Sequence, residues 1–196
     1  MSEGTRIGTA RALSIIGHPM ITLSASALAV SIFLGAMART VIVVGIALLF
    51  GLGLGAWARR KVNSGQWSHV DAIHPGERRE WNRVLLVCFV GIAVGFAGID
   101  PVVAITSLAL AFILLCAIIL APWLKLSQHT AYAVFSAWVV GSVEPLAGYT
   151  FAVFAVAVAW SRLALLRHTV IEVLVGAACG SLAGLSLWMA LEEALG

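Results

Sequence analysis

The chain has 196 residues, of which 61% are apolar and only 11% charged, and its formal net charge at pH 7 is +3. A soluble domain carries about 25% charged residues and still exposes much of its surface, so this apolar surplus excludes an ordinary soluble enzyme. The composition also excludes a disordered chain, a collagen-like fibre and a disulfide-stapled fold, since the three cysteines are scattered within apolar stretches. We therefore expect an integral membrane protein, with no nucleic-acid partner.

The apolar residues are grouped in long runs that begin near Met20, behind a polar stretch, so a cleaved signal peptide is not expected. A membrane-spanning helix needs about 20 apolar residues. The runs lie at about 20–38, 40–57, 84–99, 102–123, 130–143, 147–160 and 170–190, and the fifth and sixth are short. The sequence therefore predicts an all-α polytopic membrane helix bundle with about six or seven transmembrane helices, as one integral-membrane domain over residues 1–196.

Short separators join most of these runs. Asp100-Pro101 and Glu144-Pro145 are typical of a helix end followed by a tight turn. The long polar segment is 58–83. The two acidic residue–proline pairs therefore favour tight turns between antiparallel helices.

The basic residues divide unequally between the two faces of a seven-span arrangement. Eleven of the twelve Lys and Arg residues fall on one face, namely Arg6, Arg11, Arg59, Arg60, Lys61, Arg78, Arg79, Arg83, Lys125, Arg162 and Arg167, and only Arg39 falls on the other. Short loops rich in Lys and Arg stay in the cytoplasm. We therefore expect a multi-pass protein of the cell membrane whose basic face is cytoplasmic.

Three polar clusters lie on that basic face. They are 71–79, 125–130 and 161–172, and together they contain three of the five histidines, His74, His129 and His168. Taken singly, arginines beside a span are usually topology anchors and a lone histidine is usually a hydrogen-bonded structural residue. Taken together, the clusters indicate one anion-handling site.

The third cluster has the clearest chemistry. His168 and Glu172 are four residues apart, so on a helix they share a face and can form a hydrogen bond. A carboxylate on one imidazole nitrogen fixes the tautomer and leaves the other nitrogen free to attack. Arg162, six residues before His168, has the planar fork that matches two phosphate oxygens.

The second cluster adds an anion-binding helix start. Ser127 is a natural N-cap for the fifth apolar run, and a helix N-terminus favours phosphate. His129, in the first turn, can protonate a leaving oxygen, and Lys125 adds positive charge. The first cluster contributes Arg78 and also Arg79. So many donors suit a phosphate or diphosphate better than a carboxylate.

The three clusters resemble the three motifs of the type 2 phosphatidic acid phosphatase superfamily, in the same chain order and within residues 70–190. The third motif of that family is Ser-Arg, then His six positions after the Arg, then Asp four positions after the His. Ser161, Arg162, His168 and Glu172 match it with Glu in place of Asp. The second motif, Pro-Ser-Gly-His, is matched only at Ser and His, and the first, Lys-x6-Arg-Pro, only at Arg78.

The resemblance implies a role for each matched residue. His168 resembles the nucleophile that forms a phosphohistidine, oriented by Glu172, and His129 resembles the general acid. Arg78, Arg162, Ser127 and Lys125 would bind the phosphate. The substrate implied is a membrane lipid phosphate or diphosphate, either isoprenoid or glycerolipid. The mechanism needs no metal and no other cofactor, and the sequence identifies no protein partner.

The departures from the family pattern leave alternatives open. Asp71 stands where the family has Lys, and it puts a carboxylate near an anion site. Either Lys125 or Arg79 compensates, or Asp71 pairs with an arginine away from the phosphate, or the site is weak or inactive. The competing hypothesis is a non-catalytic lipid-binding membrane protein or a transporter that keeps an anion pocket.

Overall fold

The computed structural model describes residues 3–35, 37–70, 72 and 74–195. Within these residues the secondary structure is entirely helical. The eight helices found there are α1 Glu3–Ile16, α2 Pro19–Phe33, α3 Met37–Asn63, α4 Pro75–Phe96, α5 Pro101–Leu120, α6 Gln128–Gly141, α7 Pro145–Ala164 and α8 Val170–Leu195. The all-α class predicted from the sequence is therefore confirmed over the described chain.

Each of the seven apolar runs contributes the body of one helix, from α2 to α8, whereas α1 was not expected. Proline begins α2, α4, α5 and α7, where its missing N–H costs no intrahelical hydrogen bond. The carboxylate of Asp100 accepts from Val103 N at 3.2 Å, and that of Glu144 accepts from Leu146 N at 3.3 Å. Both acidic residues thus cap the helix that the following proline begins.

Some of these helices have the length and composition needed to cross a membrane. Among the described residues, the helices long and apolar enough to cross a membrane are three: Pro101–Leu120, Pro145–Ala164 and Val170–Ala190. The α1–α2 pair, bent by 60°, brings the number to four if it counts as one broken span. The prediction of six or seven spans stays a prediction.

Close packing of α6 against α8 forms the centre of the bundle. Gly176, Gly180 and Gly184 recur every four residues on α8, and a Cβ added at Gly180 would lie 2.2 Å from the carbonyl oxygen of Ala131 on α6. Such a stripe lets two helix backbones approach more closely than larger residues would allow. Phe135 of α6 and Ile113 of α5 are buried beside this contact.

Because successive helices from α4 to α8 run in opposite directions, the polar clusters lie at one end of the bundle. α4, α6 and α8 begin there, while α5 and α7 end there. The segment between α3 and α4 is held in place by packing of Trp67 against Trp57 and Trp81, and the Trp67 indole donates to Glu80 at 2.8 Å. The three clusters predicted to act together are therefore neighbours in space.

Candidate functional site

A cavity of about 1910 Å³ opens among the helices and reaches the polar end of the bundle. Six residues singled out from the sequence line it, namely Arg78, Arg79, Lys125, His129, Arg162 and His168. Its walls continue into apolar side chains of α2, α4, α5, α6 and α8, such as Leu23, Phe89, Leu110, Phe135 and Leu187. A polar mouth with an apolar interior suits a molecule with a charged head and a hydrocarbon tail.

His168 lies just before α8, where the sequence predicts a hydrogen bond to Glu172, and the structure contains that bond. Nδ1 of His168 is 3.2 Å from Oε2 of Glu172 and 3.1 Å from the carbonyl oxygen of Lys125. Both partners are acceptors, so Nδ1 must carry the proton in the neutral ring. Nε2 therefore holds the free lone pair, which is the form a nucleophile requires.

Glu172 ties the start of α8 to the segment before α6. Its Oε2 accepts from Thr169 N at 3.0 Å, and its Oε1 accepts from Lys125 N at 3.0 Å. Its backbone carbonyl also accepts from Ser127 N at 3.2 Å. Glu172 thus orients His168 and fixes the two segments that carry Lys125 and His168, without lining the described cavity itself.

The electrostatics favour a neutral His168. Burial, together with the positive charges of Lys125 and Arg162, lowers the pKa of His168 from 6.5 to about 4. Burial also lowers the pKa of Lys125, and the nearby Arg78 guanidinium acts in the same direction. Clustered cations that disfavour one another are stabilised when an anion binds among them. This end of the cavity is therefore suited to an anionic ligand.

Arg162 lies in the last turn of α7. Its Nη1 donates to the Ser14 hydroxyl of α1 in a short hydrogen bond. Its Nε is buried and has no hydrogen-bond partner among the residues that the structure describes. A buried N–H without a partner is unusual in a native protein, and an anionic oxygen bound beside it would satisfy this donor.

His129 begins α6 and lines the cavity. Its ring lies edge-on to the ring of His18, with the centroids 5.6 Å apart. The His18 side chain in turn accepts from Met20 N at 3.3 Å, which makes His18 the N-cap of α2. Two imidazoles from different parts of the chain therefore meet in one wall.

The sequence predicts Ser127 in the phosphate cradle, but the structure places its hydroxyl elsewhere. Ser127 is fully buried, and its Oγ lies 3.0 Å from Oγ1 of Thr130. A Cβ on Gly176 would lie 2.6 Å from the Ser127 carbonyl oxygen, so Ser127 packs directly under α8. It holds the N-cap position of α6, but its hydroxyl does not cap a backbone N–H of that helix, and the described cavity lining does not include it.

The first cluster is carried by the start of α4. Glu77 accepts from Ser68 N at 2.6 Å and from His74 N at 3.1 Å, and the backbone N–H of Ser68 is the main cause that lowers the Glu77 pKa. These hydrogen bonds join the residues before α4 to the start of that helix, where Arg78 and Arg79 line the cavity. Asp71, which departs from the family pattern, lies outside the described residues.

Several further cavity residues were given no role in the site by the sequence analysis. They are Arg11, Ser14, His18, Asn82, Gln128 and Arg167. Asn82 accepts from Gln128 at 2.9 Å, which joins α4 to α6 across 46 residues. Of these residues, His18 had a recognisable sequence signal. His18-Pro19, just before an apolar run, is typical of a helix start, but it does not indicate the contact with His129.

In the part of the chain that the structure describes, no group of three or more His, Cys, Asp and Glu residues is arranged to hold a metal ion. The chain matches no model of a known protein family, and neither curated proteins nor solved structures include a match.

Proposed function

We propose that this chain is a membrane-embedded phosphatase that hydrolyses a lipid phosphate or diphosphate through a phosphohistidine at His168. One observation carries the proposal: Nδ1 of His168 faces two acceptors, Glu172 and the Lys125 carbonyl, inside a cavity lined by cations. A neutral imidazole held in this tautomer among positive charges is equipped to attack phosphorus.

In the first step, the Nε2 lone pair of His168 forms a bond to phosphorus while the bond from phosphorus to the lipid oxygen breaks. His129, whose protonated form is favoured by the negative charge of the bound phosphate, gives its proton to that oxygen. Arg78, Arg162 and Lys125 bind the non-bridging oxygens, whose charge stabilisation is the main requirement of phosphoryl transfer. The Nδ1 proton stays toward Glu172, which stabilises the positive charge on the phosphorylated ring.

In the second step, water attacks phosphorus, the P–N bond breaks and its electrons return to Nε2. His129, now neutral, takes the proton from the attacking water. Free phosphate leaves, and His168 and His129 are restored. Apart from the substrate and water, the proposed cycle uses only side chains of this chain.

A location in the cell membrane is part of the proposal. It is supported by large apolar side chains that face outward along the helices, including Leu52 on α3, Val94 on α4 and Val153 on α7, each exposed over 71–73% of its surface. Apolar surface of this extent is stable in lipid rather than in water. Seven spans, α2 to α8, would put the site at the cytoplasmic face, where the basic residues lie.

The test is phosphate release by the purified full chain in lipid nanodiscs. Isoprenoid phosphate, isoprenoid diphosphate and phosphatidic acid are offered in turn, and at least one should be hydrolysed. His168→Gln should abolish release. His74→Gln should leave it intact, because His74 is exposed and does not belong to the cavity lining found among the described residues.

The other outcomes separate the alternatives. Binding of these lipids without release of phosphate would favour the non-catalytic lipid-binding hypothesis. Release that survives in His168→Gln would show that His168 is not the nucleophile.

A further inference from the structure

The N-terminal helix α1 reaches the end of the cavity where the cations lie, although it contains no residue of the three polar clusters. Ser14, in its last turn, accepts a short hydrogen bond from Nη1 of Arg162 across 148 residues. Gly17 lies against α7, where an added Cβ would be 2.5 Å from Val158 Cγ2. α1 is therefore packed firmly enough on α7 to hold the serine beside the arginine.

The hydrogen bond to Ser14 engages only one nitrogen of the guanidinium. Nε, which is buried and unpartnered within the described structure, shares an edge of the guanidinium plane with Nη2. That edge presents two parallel N–H donors, which match two oxygens of one phosphate. Arg162 lines the cavity, as does Ser14.

We propose that Ser14 is a positioning residue for Arg162, holding the guanidinium by Nη1 so that its Nε–Nη2 edge takes two oxygens of a phosphate. Arginine has many rotamers, and fixing one of them before the anion arrives removes an entropic cost from binding. The link to turnover rests on the proposed function, whereas the binding of phosphate by this edge does not.

A second contact of the same region agrees with this assignment. His18, at the junction of α1 and α2, lies beside His129 with the ring centroids 5.6 Å apart. Ser14, His18, His129 and Arg162 all line the cavity. Ser14 of α1 thus contacts Arg162, and His18, just after α1, contacts His129.

The test measures the affinity of the full chain in nanodiscs for inorganic phosphate by isothermal titration calorimetry. Ser14→Ala should weaken binding about tenfold, the order expected for a hydrogen bond to a charged group. Ser14→Thr, which keeps the hydroxyl, should restore most of the affinity. Thr9→Ala is the matched control on α1, because the Thr9 hydroxyl is exposed and bonds only locally to the Thr5 carbonyl.

The same variants in an Arg162→Lys background show whether Ser14 acts through Arg162. Removing the Ser14 hydroxyl should then have no further effect, since contacts that act as a unit are not additive. Equal phosphate affinity of Ser14→Ala and the unchanged chain would overturn the inference. So would a chain that binds no phosphate, or a full Ser14→Ala effect in the Lys background.

Phosphate release from lipid, measured in parallel, keeps the two proposals distinct. Weakened phosphate binding in Ser14→Ala without any lipid hydrolysis by the unchanged chain would uphold the inference and overturn the proposed function. Hydrolysis by the unchanged chain, with unaltered phosphate affinity in Ser14→Ala, would uphold the proposed function and overturn the inference about Ser14.

Discussion

At the residue scale, chemistry depends on pairs of side chains, and sequence spacing reveals only the local pairs. The spacing of His168 and Glu172 predicts their hydrogen bond, because residues four apart on a helix are neighbours. The contact of Ser14 with Arg162 joins residues that are 148 positions apart, so no local sequence pattern predicts it. Ser127 shows the converse, since a residue type suited to a phosphate cradle is used for packing under α8.

The ionisation of His168 gives a prediction at this scale. Its pKa is lowered to about 4, so the ring should stay neutral, and able to attack, as pH falls through 6.5. It should gain its proton, and lose the nucleophilic lone pair, only as pH falls through about 4. NMR titration of the histidine ring carbons checks this, with His168→Gln to assign the signal. An ordinary titration near 6.5 would contradict the electrostatic account.

The role of His129 as general acid gives a second prediction. His129→Ala should slow formation of the phosphoenzyme by about 10²-fold or more for a poor alcohol leaving group, within the range for general acid catalysis. The effect should be much smaller for a nitrophenolate, which departs without a proton. Rapid-quench kinetics with the two substrate types measure the difference. An equal loss for both would count against the acid role.

At the element scale, hydropathy located the bodies of α2 to α8, and Asp100 and Glu144 marked two of the turns. The helix α1 was missed because its polar and charged residues interrupt the apolar ones, so it does not resemble a span. Its place beside α7 depends on Gly17 meeting Val158, which is a tertiary contact. Propensity and periodicity carry no information about such contacts.

The glycine stripe of α8 yields a prediction for the packing of elements. Gly180→Ala should lower the unfolding temperature of the chain in detergent, because the added Cβ meets the Ala131 carbonyl and overpacking costs about 1–3 kcal/mol. Gly91→Ala on α4 is the matched control. Nothing lies within 4 Å of its added Cβ, so the substitution should be neutral or slightly stabilising. Equal effects of the two substitutions would contradict the close α6–α8 contact.

At the scale of the whole molecule, the sequence predicts a helical membrane bundle with its polar clusters at one end, and it predicts no cavity. The cavity is lined by residues of all eight described helices, so it depends on how these helices pack together. Orientation in the membrane is also a property of this scale. The proposed cytoplasmic orientation is based on the sum of the basic residues on each face.

Orientation can be tested with single cysteines in a background that lacks Cys88, Cys116 and Cys179. Ser64→Cys follows α3 at the basic end, and Glu193→Cys is exposed near the end of α8. A membrane-impermeant thiol reagent on intact cells should label position 193 and not position 64. The reverse pattern, or labelling of both positions, would contradict a cytoplasmic site.

In the proposed reaction, His168 carries the phosphoryl group during turnover. The most direct measurement is rapid quenching of the purified chain with ³²P-labelled lipid phosphate, followed by mapping of the labelled peptide. We expect a phosphoramidate on His168 that is stable in alkali and lost in acid, present in His74→Gln and absent in His168→Gln. Turnover without labelled His168, or with the label on another residue, would contradict it.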